Sequence, residues 1–146
     1  MITVDVQALI PLNGMDVKEV ENWTIKCLGE LGYEDTEMSV LLVSDEHIRD
    51  LNRRYLSRDR PTNVISFSQQ EGMGPAGNHL GDVVISIDTA KTEAMEAGMD
   101  MRSRLVELLV HGICHLAGYE HEGVDDVQAK EMARVEKMLI QKIKGY

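Results

Sequence analysis

Along this chain, apolar residues alternate in some stretches and recur every three to four positions in others, and the changes of period mark its elements. Residues 2–10 alternate well enough to read as a strand. Over 16–31 the period lengthens, so that Val17, Val20, Thr24, Cys27, Leu28 and Leu31 share one face of a helix that Gly32 ends. Met38 to Val43 reads as a second strand. Ser44 is a good N-cap, and Asp45 and Glu46 suit the positive end of a helix running to about Leu56. Pro61 then breaks the chain. Thr62 to Phe67 and Leu80 to Ile87 carry the β-branched and aromatic residues of a third and a fourth strand. Between them Glu71–Asn78, rich in glycine, can only be a mobile loop. Asp88 is expected to cap a helix over 89–97 that Gly98 stops. A longer helix follows from about Met101 to Ala117, and a final amphipathic helix spans 124–143.

The order β-α-β-α-β-β-α-α-α predicts an α+β fold, a small mixed sheet of about four strands packed with about five helices. The 146 residues and 43% hydrophobic content suit one core, so 1–146 is expected to be a single domain. The longest apolar stretch, Leu105 to Tyr119, is interrupted by Glu107 and two histidines, and no membrane span is expected. Met1 to Val6 has neither the basic nor the apolar region of a signal peptide, which favours the cytoplasm. Cys27 and Cys114 are too few for a disulfide scaffold and read as buried thiols.

Chemistry enters with three histidines, His111, His115 and His121, at spacings of four and six. Residues four apart on a helix project about 40° from each other and lie roughly 6 Å apart along the axis, so His111 and His115 can grip one ion from one face. His121 cannot lie on the same straight helix. Gly118 supplies a left-handed stop from which the chain can turn back and bring His121 to the ion. Three imidazoles with one open position are the ligand set of a catalytic zinc site. The spacing is that of the metzincin proteases, H-E-x-x-H-x-x-G-x-x-H, but Gly112 stands where they place the glutamate that serves as general base. Peptide hydrolysis by that route is therefore disfavoured, and a glycine within a helix points to a packing or access requirement. Glu107, one turn before His111, and Glu120, directly before His121, are the nearby carboxylates; each can orient an imidazole, act as a base or be a solvated charge, and for each taken alone the solvated or structural role is the better reading.

Three ordered blocks, Asp59-Arg60-Pro61-Thr62-Asn63-Val64-Ile65-Ser66-Phe67, Leu80-Gly81-Asp82-Val83-Val84-Ile85 and His111 through His121, resemble the YbeY-type endoribonucleases of bacteria. In that family the third block reads H-G-x-x-H-L-x-G-Y-D-H, so Gly112 matches it. The chain departs from the pattern at two places. Glu120 stands for the usual aspartate, and Leu56 follows Tyr55 where the family usually carries an arginine implicated in RNA cleavage. Arg58 and Arg54 lie close by and are the candidates to replace it.

The resemblance implies a zincin-like fold around one zinc ion per chain, held by His111, His115 and His121. It further implies cleavage of single-stranded ribosomal RNA, maturation of the 16S rRNA 3′ end and ribosome quality control, with the ribosome or its assembly proteins as partners; no DNA substrate is expected. Arg58, Arg54 and Glu120 are the expected catalytic residues, the arginines offsetting charge on a phosphorane-like transition state. Two rival classes share the metal site, a non-catalytic metal-stabilised ribosome-associated factor and a metalloprotease or amidase.

Charge bears on this reading. A net −10 repels RNA at long range. Locally, five arginines (49, 53, 54, 58 and 60) face two aspartates (50 and 59), and the strip adjoins Pro61-Thr62-Asn63. It reads as a phosphate-binding strip, against the alternative of a solvated helix face paired with the acids late in the chain.

Overall fold

Alternation places Met38, Val40 and Leu42 on one face of a strand and Leu41 and Val43 on the other, and the apolar sides of helices cover both faces. The computed structural model describes residues 1–69, 78–119 and 125–144. Its elements are β1 (Thr3–Ala8), α1 (Val17–Glu30), β2 (Glu37–Val43), α2 (Asp45–Leu56), β3 (Val64–Ser68), β4 (His79–Ser86), α3 (Ile87–Ala97), α4 (Met101–Leu116) and α5 (Asp126–Ile143). The strands form one sheet in the order β1-β2-β4-β3; β1, β2 and β4 run parallel, while β3 is an edge strand antiparallel to β4. This is the mixed four-stranded α+β fold expected from the pattern of elements. The glycine-rich segment read as a loop lies, except for Asn78, outside the described residues.

The main core lies between the sheet and helices α1, α3, α4 and α5, where Val40, Leu42, Val83 and Ile85 meet Val20, Leu28, Leu105, Leu109, Ile113, Met132 and Leu139. A smaller cluster of Ile48, Val43, Ile65 and Val84 seats α2 on the opposite face. α4 is the most enclosed helix, with Leu105, Leu109, Val110 and Ile113 all fully buried, and it crosses β3 and β4. An ion pair joins two helices of this layer at the surface: Arg102 of α4 holds Glu19 of α1 with two hydrogen bonds of 2.7 Å.

One predicted cap is moved. β4 runs into α3 without a loop, so Ser86, the last strand residue, becomes the N-cap, its hydroxyl accepting from Thr89 N–H at 3.1 Å. Asp88 then falls in the first turn and instead accepts from the backbone N–H of Asp45, at the start of α2, at 2.9 Å. At the other end of β4, Gly81 has φ +151°, and a Cβ there would stand 2.4 Å from the Phe67 carbonyl oxygen and 2.8 Å from Leu116. Only glycine lets the sheet approach the end of α4 so closely.

Candidate metal centre and cleft

α4 is capped by Asp100, whose side chain accepts from Ser103 N–H at 2.7 Å, and its apolar stripe holds the helix against the sheet. His111 and His115 leave that stripe together. Their Nε2 atoms are 3.2 Å apart and the rings meet edge-on, at 86°, with centroids separated by 4.6 Å. Two nitrogen ligands of a tetrahedral ion, each bound at about 2.0–2.1 Å, stand roughly 3.3 Å apart, so this pair has the geometry of a shared ion. The opposite edge of the His111 ring is engaged as well, with Nδ1 2.9 Å from the Glu136 carboxylate of α5. The helix closes two residues after His115 in a Schellman turn: Gly118 N–H reaches the His115 carbonyl at 3.1 Å, Tyr119 N–H the Cys114 carbonyl at 3.0 Å, and Gly118 adopts φ +97°. His121 and Glu120 lie outside the described residues, and among the described residues there is no cluster of three metal-binding side chains.

Gly112 faces the sheet at a close approach of α4. A Cβ on it would lie 2.8 and 3.1 Å from the two methyls of Val83 and 3.2 Å from the Ser66 hydroxyl. Ser66 also donates to the Gly112 carbonyl at 2.8 Å, tying β3 to the turn of helix between the two histidines. The packing requirement expected of this glycine is thus identified, and there is no room at 112 for the glutamate of a protease.

A cleft of about 790 Å³ opens beside the histidines, lined by Leu56, Arg58, Arg60, Asn63, Ser66, His111 and His115 among others. Its arginine wall is built by Asn52, a buried side chain of α2. Asn52 Nδ2 donates to the Arg60 carbonyl at 2.9 Å and the main-chain carbonyl of Asn52 accepts from Arg58 N–H at 3.1 Å, while Ser57 turns the chain with φ 56°. Arg58 is thereby delivered to the same cleft as Leu56. The five-arginine strip resolves into two groups. Arg53 and Arg54 both pair with Asp50, and Arg49 pairs with Asp59. The Arg53 hydrogen bond holds the Asp50 carboxyl below the usual carboxylate range. Neither Arg58 nor Arg60 has a carboxylate within 4.0 Å among the described residues. Arg54 is absent from the cleft lining, and the late acids do not pair with the strip among the described residues.

Three positioning contacts had no mark in the local sequence. Glu136 is 25 residues from the histidine it touches. Asn52 reads locally as an ordinary polar helix residue. Asn63 donates to both oxygens of Glu93, at 3.2 and 3.3 Å, and Arg104 of α4 holds the same carboxylate at 3.0 Å, which links the segment before β3 to the histidine helix. Glu107 is engaged by Arg104 at 2.9 Å and not by an imidazole among the described residues. His79 stands between Glu37 and Asp82, at 4.0 and 3.5 Å. Cys27 and Cys114 are buried and unbridged, and burial pushes both thiols up to about 12.

The family model described as "Endoribonuclease YbeY" matches residues 11–144. Proteins named Endoribonuclease YbeY are similar over most of the chain. That of Geobacter metallireducens is 50% identical over 114 residues, covering 77% of this chain and 76% of the relative. That of Syntrophotalea carbinolica is 43% identical over 130 residues, covering 88% and 87%. The Aquifex aeolicus protein is 37% identical over 139 residues, covering 94% and 91%. A Thermotoga maritima protein whose structure was determined in solution superposes with a TM-score of 0.66 at 28% identity, covering 99% of this chain and 90% of that one. A histidine pair held on a glycine-notched helix beside an arginine-walled cleft thus stands on a scaffold shared with named endoribonucleases, and the chain belongs to the YbeY endoribonuclease family.

Proposed function

We propose that this chain is a metal-dependent endoribonuclease that cuts single-stranded ribosomal RNA during maturation of the 16S rRNA 3′ end, and that it takes part in ribosome quality control in the cytoplasm. The observation that carries the reading is the convergence of the His111 and His115 Nε2 atoms, 3.2 Å apart, on a cleft that Arg58 and Arg60 also line. In this reading His111, His115 and His121 hold one zinc ion. Bound there, zinc would supply a water of lowered pKa and polarise a phosphate oxygen.

The chain's own residues do the rest. Arg58 and Arg60 draw the RNA backbone into the cleft by charge, in a protein that is otherwise acidic. Arg58, delivered beside Leu56 by the Asn52 contacts, takes over the transition-state charge that the family assigns to the arginine missing at 56. Arg54 is the weaker candidate, because Asp50 engages it away from the cleft. Glu120 remains a candidate for proton transfer. The ribosome or its assembly proteins would present the RNA.

The crowding at Gly112 weighs against a protease or amidase. A non-catalytic ribosome-associated factor is the rival that Leu56 keeps in play. Incubating zinc-loaded protein with ribosomal RNA and with casein, each repeated with chelator and with a His115→Ala variant purified in parallel, separates the three. RNA cleavage lost with chelator and with the variant is the expected result. No RNA cleavage by folded, metal-replete protein would establish the binding factor, and casein cleavage the protease.

A further inference from the structure

Glu136 is a half-buried carboxylate on α5, with 23% of its side chain exposed, and among the described residues no lysine or arginine lies within 4.0 Å of it. Its partner is the Nδ1 edge of His111, at 2.9 Å. α5 cannot swing freely to make or break this contact. Met132, Val135, Leu139 and Ile143 on its inner face are buried in the main core, and Met132 and Leu139 lie one turn to either side of Glu136.

The chemistry of the contact has one direction. An ionised carboxylate only accepts hydrogen bonds, so the His111 Nδ1 must carry the proton and donate it. In neutral imidazole that leaves Nε2 with a bare lone pair. The same Nε2 is the atom aimed at the His115 Nε2, 3.2 Å away. Glu136 stands across the ring from that point, so it acts on the ligand rather than as a ligand. It also fixes the ring plane, which a histidine on an exposed helix face would otherwise sample at an entropic cost upon binding an ion.

We propose that Glu136 is a positioning residue of the metal site: its carboxylate selects the Nδ1-protonated tautomer of His111 and locks the ring so that Nε2 faces the ion. The inference rests on the metal reading given under Proposed function. Its consequence is that part of the affinity for the metal resides on α5, outside the histidine motif.

Two measurements test it, neither of which depends on RNA cleavage. Zinc affinity is read by competition with a chromophoric chelator for wild type, Glu136→Gln, Glu136→Ala and His115→Ala, with the metal-free thermal transition of each as a folding control. Glu136→Ala is expected to weaken zinc binding by about 10–100-fold. Glu136→Gln, which can still accept the hydrogen bond but lacks the charge, falls between it and wild type. Zinc held as tightly by both Glu136 variants as by wild type, while His115→Ala loses it, overturns the role of Glu136 alone. Zinc held equally by wild type and His115→Ala overturns the metal reading itself. The second measurement needs no variant at position 136 to fold. Nitrogen-15 NMR of the zinc-loaded wild-type protein should show His111 protonated on Nδ1, and a proton on Nε2 with zinc bound overturns the proposal.

Discussion

The two walls of the cleft are made by different means. On the α4 side the functional side chains are held by packing: Gly112 presses on Val83, Ser66 bonds into the helix, and His111 is pinned by Glu136 from a helix whose inner face is buried. On the α2 side they are charged groups at the surface, aimed by the backbone contacts of Asn52 to residues 58 and 60. A metal site needs ligands placed to a fraction of an ångström, and only a packed interior constrains atoms that closely. Phosphate attraction acts over several ångströms and tolerates a shift in which side chain carries the charge. Leu56 and Arg58, side by side in the same cleft, belong on the tolerant wall, whereas Gly112 belongs on the wall that tolerates no added atom.

The packed wall is the easier one to break. Gly112→Glu places a buried charge and several atoms into the contact with Val83, and a loss of at least about 3 kcal/mol in denaturant-unfolding stability is expected. Gly112→Ala isolates the steric part. It should destabilise by about 1–2 kcal/mol in spite of the helix propensity gained. Gly29→Ala in α1 is the control: a Cβ there meets nothing within 4 Å, so the same substitution should stabilise by up to about 1 kcal/mol. If both alanines stabilise, the close approach of α4 to the sheet is not what holds glycine at 112.

On the charged wall the expected losses appear in RNA binding and cleavage rather than in stability. Arg58→Ala with Arg60→Ala should lower RNA cleavage by about 10–100-fold and make the slope of log binding constant against log salt shallower by roughly 1.4, the share of two phosphate contacts on a single strand. A thermal transition close to that of wild type should accompany this, since both residues are exposed. Arg54→Ala, whose partner is Asp50, should stay within about twofold of wild type in the same assay. A larger loss for Arg54 than for Arg58 would reverse their assigned roles.

A finer probe of the packed side is pH. Burial pushes the Cys27 thiol up to about 12, so the unfolded chain releases this proton at lower pH than the folded one. The stability that the protonated thiol contributes is complete below the ordinary thiol range and is lost as pH rises from about 9 toward 12. The denaturation midpoint of wild type should therefore fall over that interval. In Cys27→Ala, less stable at neutral pH because of the cavity it leaves, the fall should be shallower.

Every element among the described residues was visible in the pattern of the chain, because amphipathic helices and half-buried strands write their faces into consecutive residues. Their ends were less so. Ser86 rather than Asp88 caps α3 because β4 runs straight into the helix, and the direct connection depends on how the sheet seats α3. The arginine strip was legible as charge, and its pairing was partly legible too, since Asp50 with Arg53 and Arg54 has helical i,i+3 and i,i+4 spacing. That Arg58 and Arg60 are the ones left facing the cleft could not be read, because it depends on the left-handed turn at Ser57 and the reach of Asn52.

The same division runs through the histidine site. The spacing of His111 and His115, the glycine stop at 118 and the glycine at 112 are local properties of one helix, and the sequence alone determined them. What Gly112 packs against and which carboxylate orients His111 are contacts between segments 25 or more residues apart. Such contacts exist only once the core has brought α4 onto the sheet and α5 onto α4, and no local period records them.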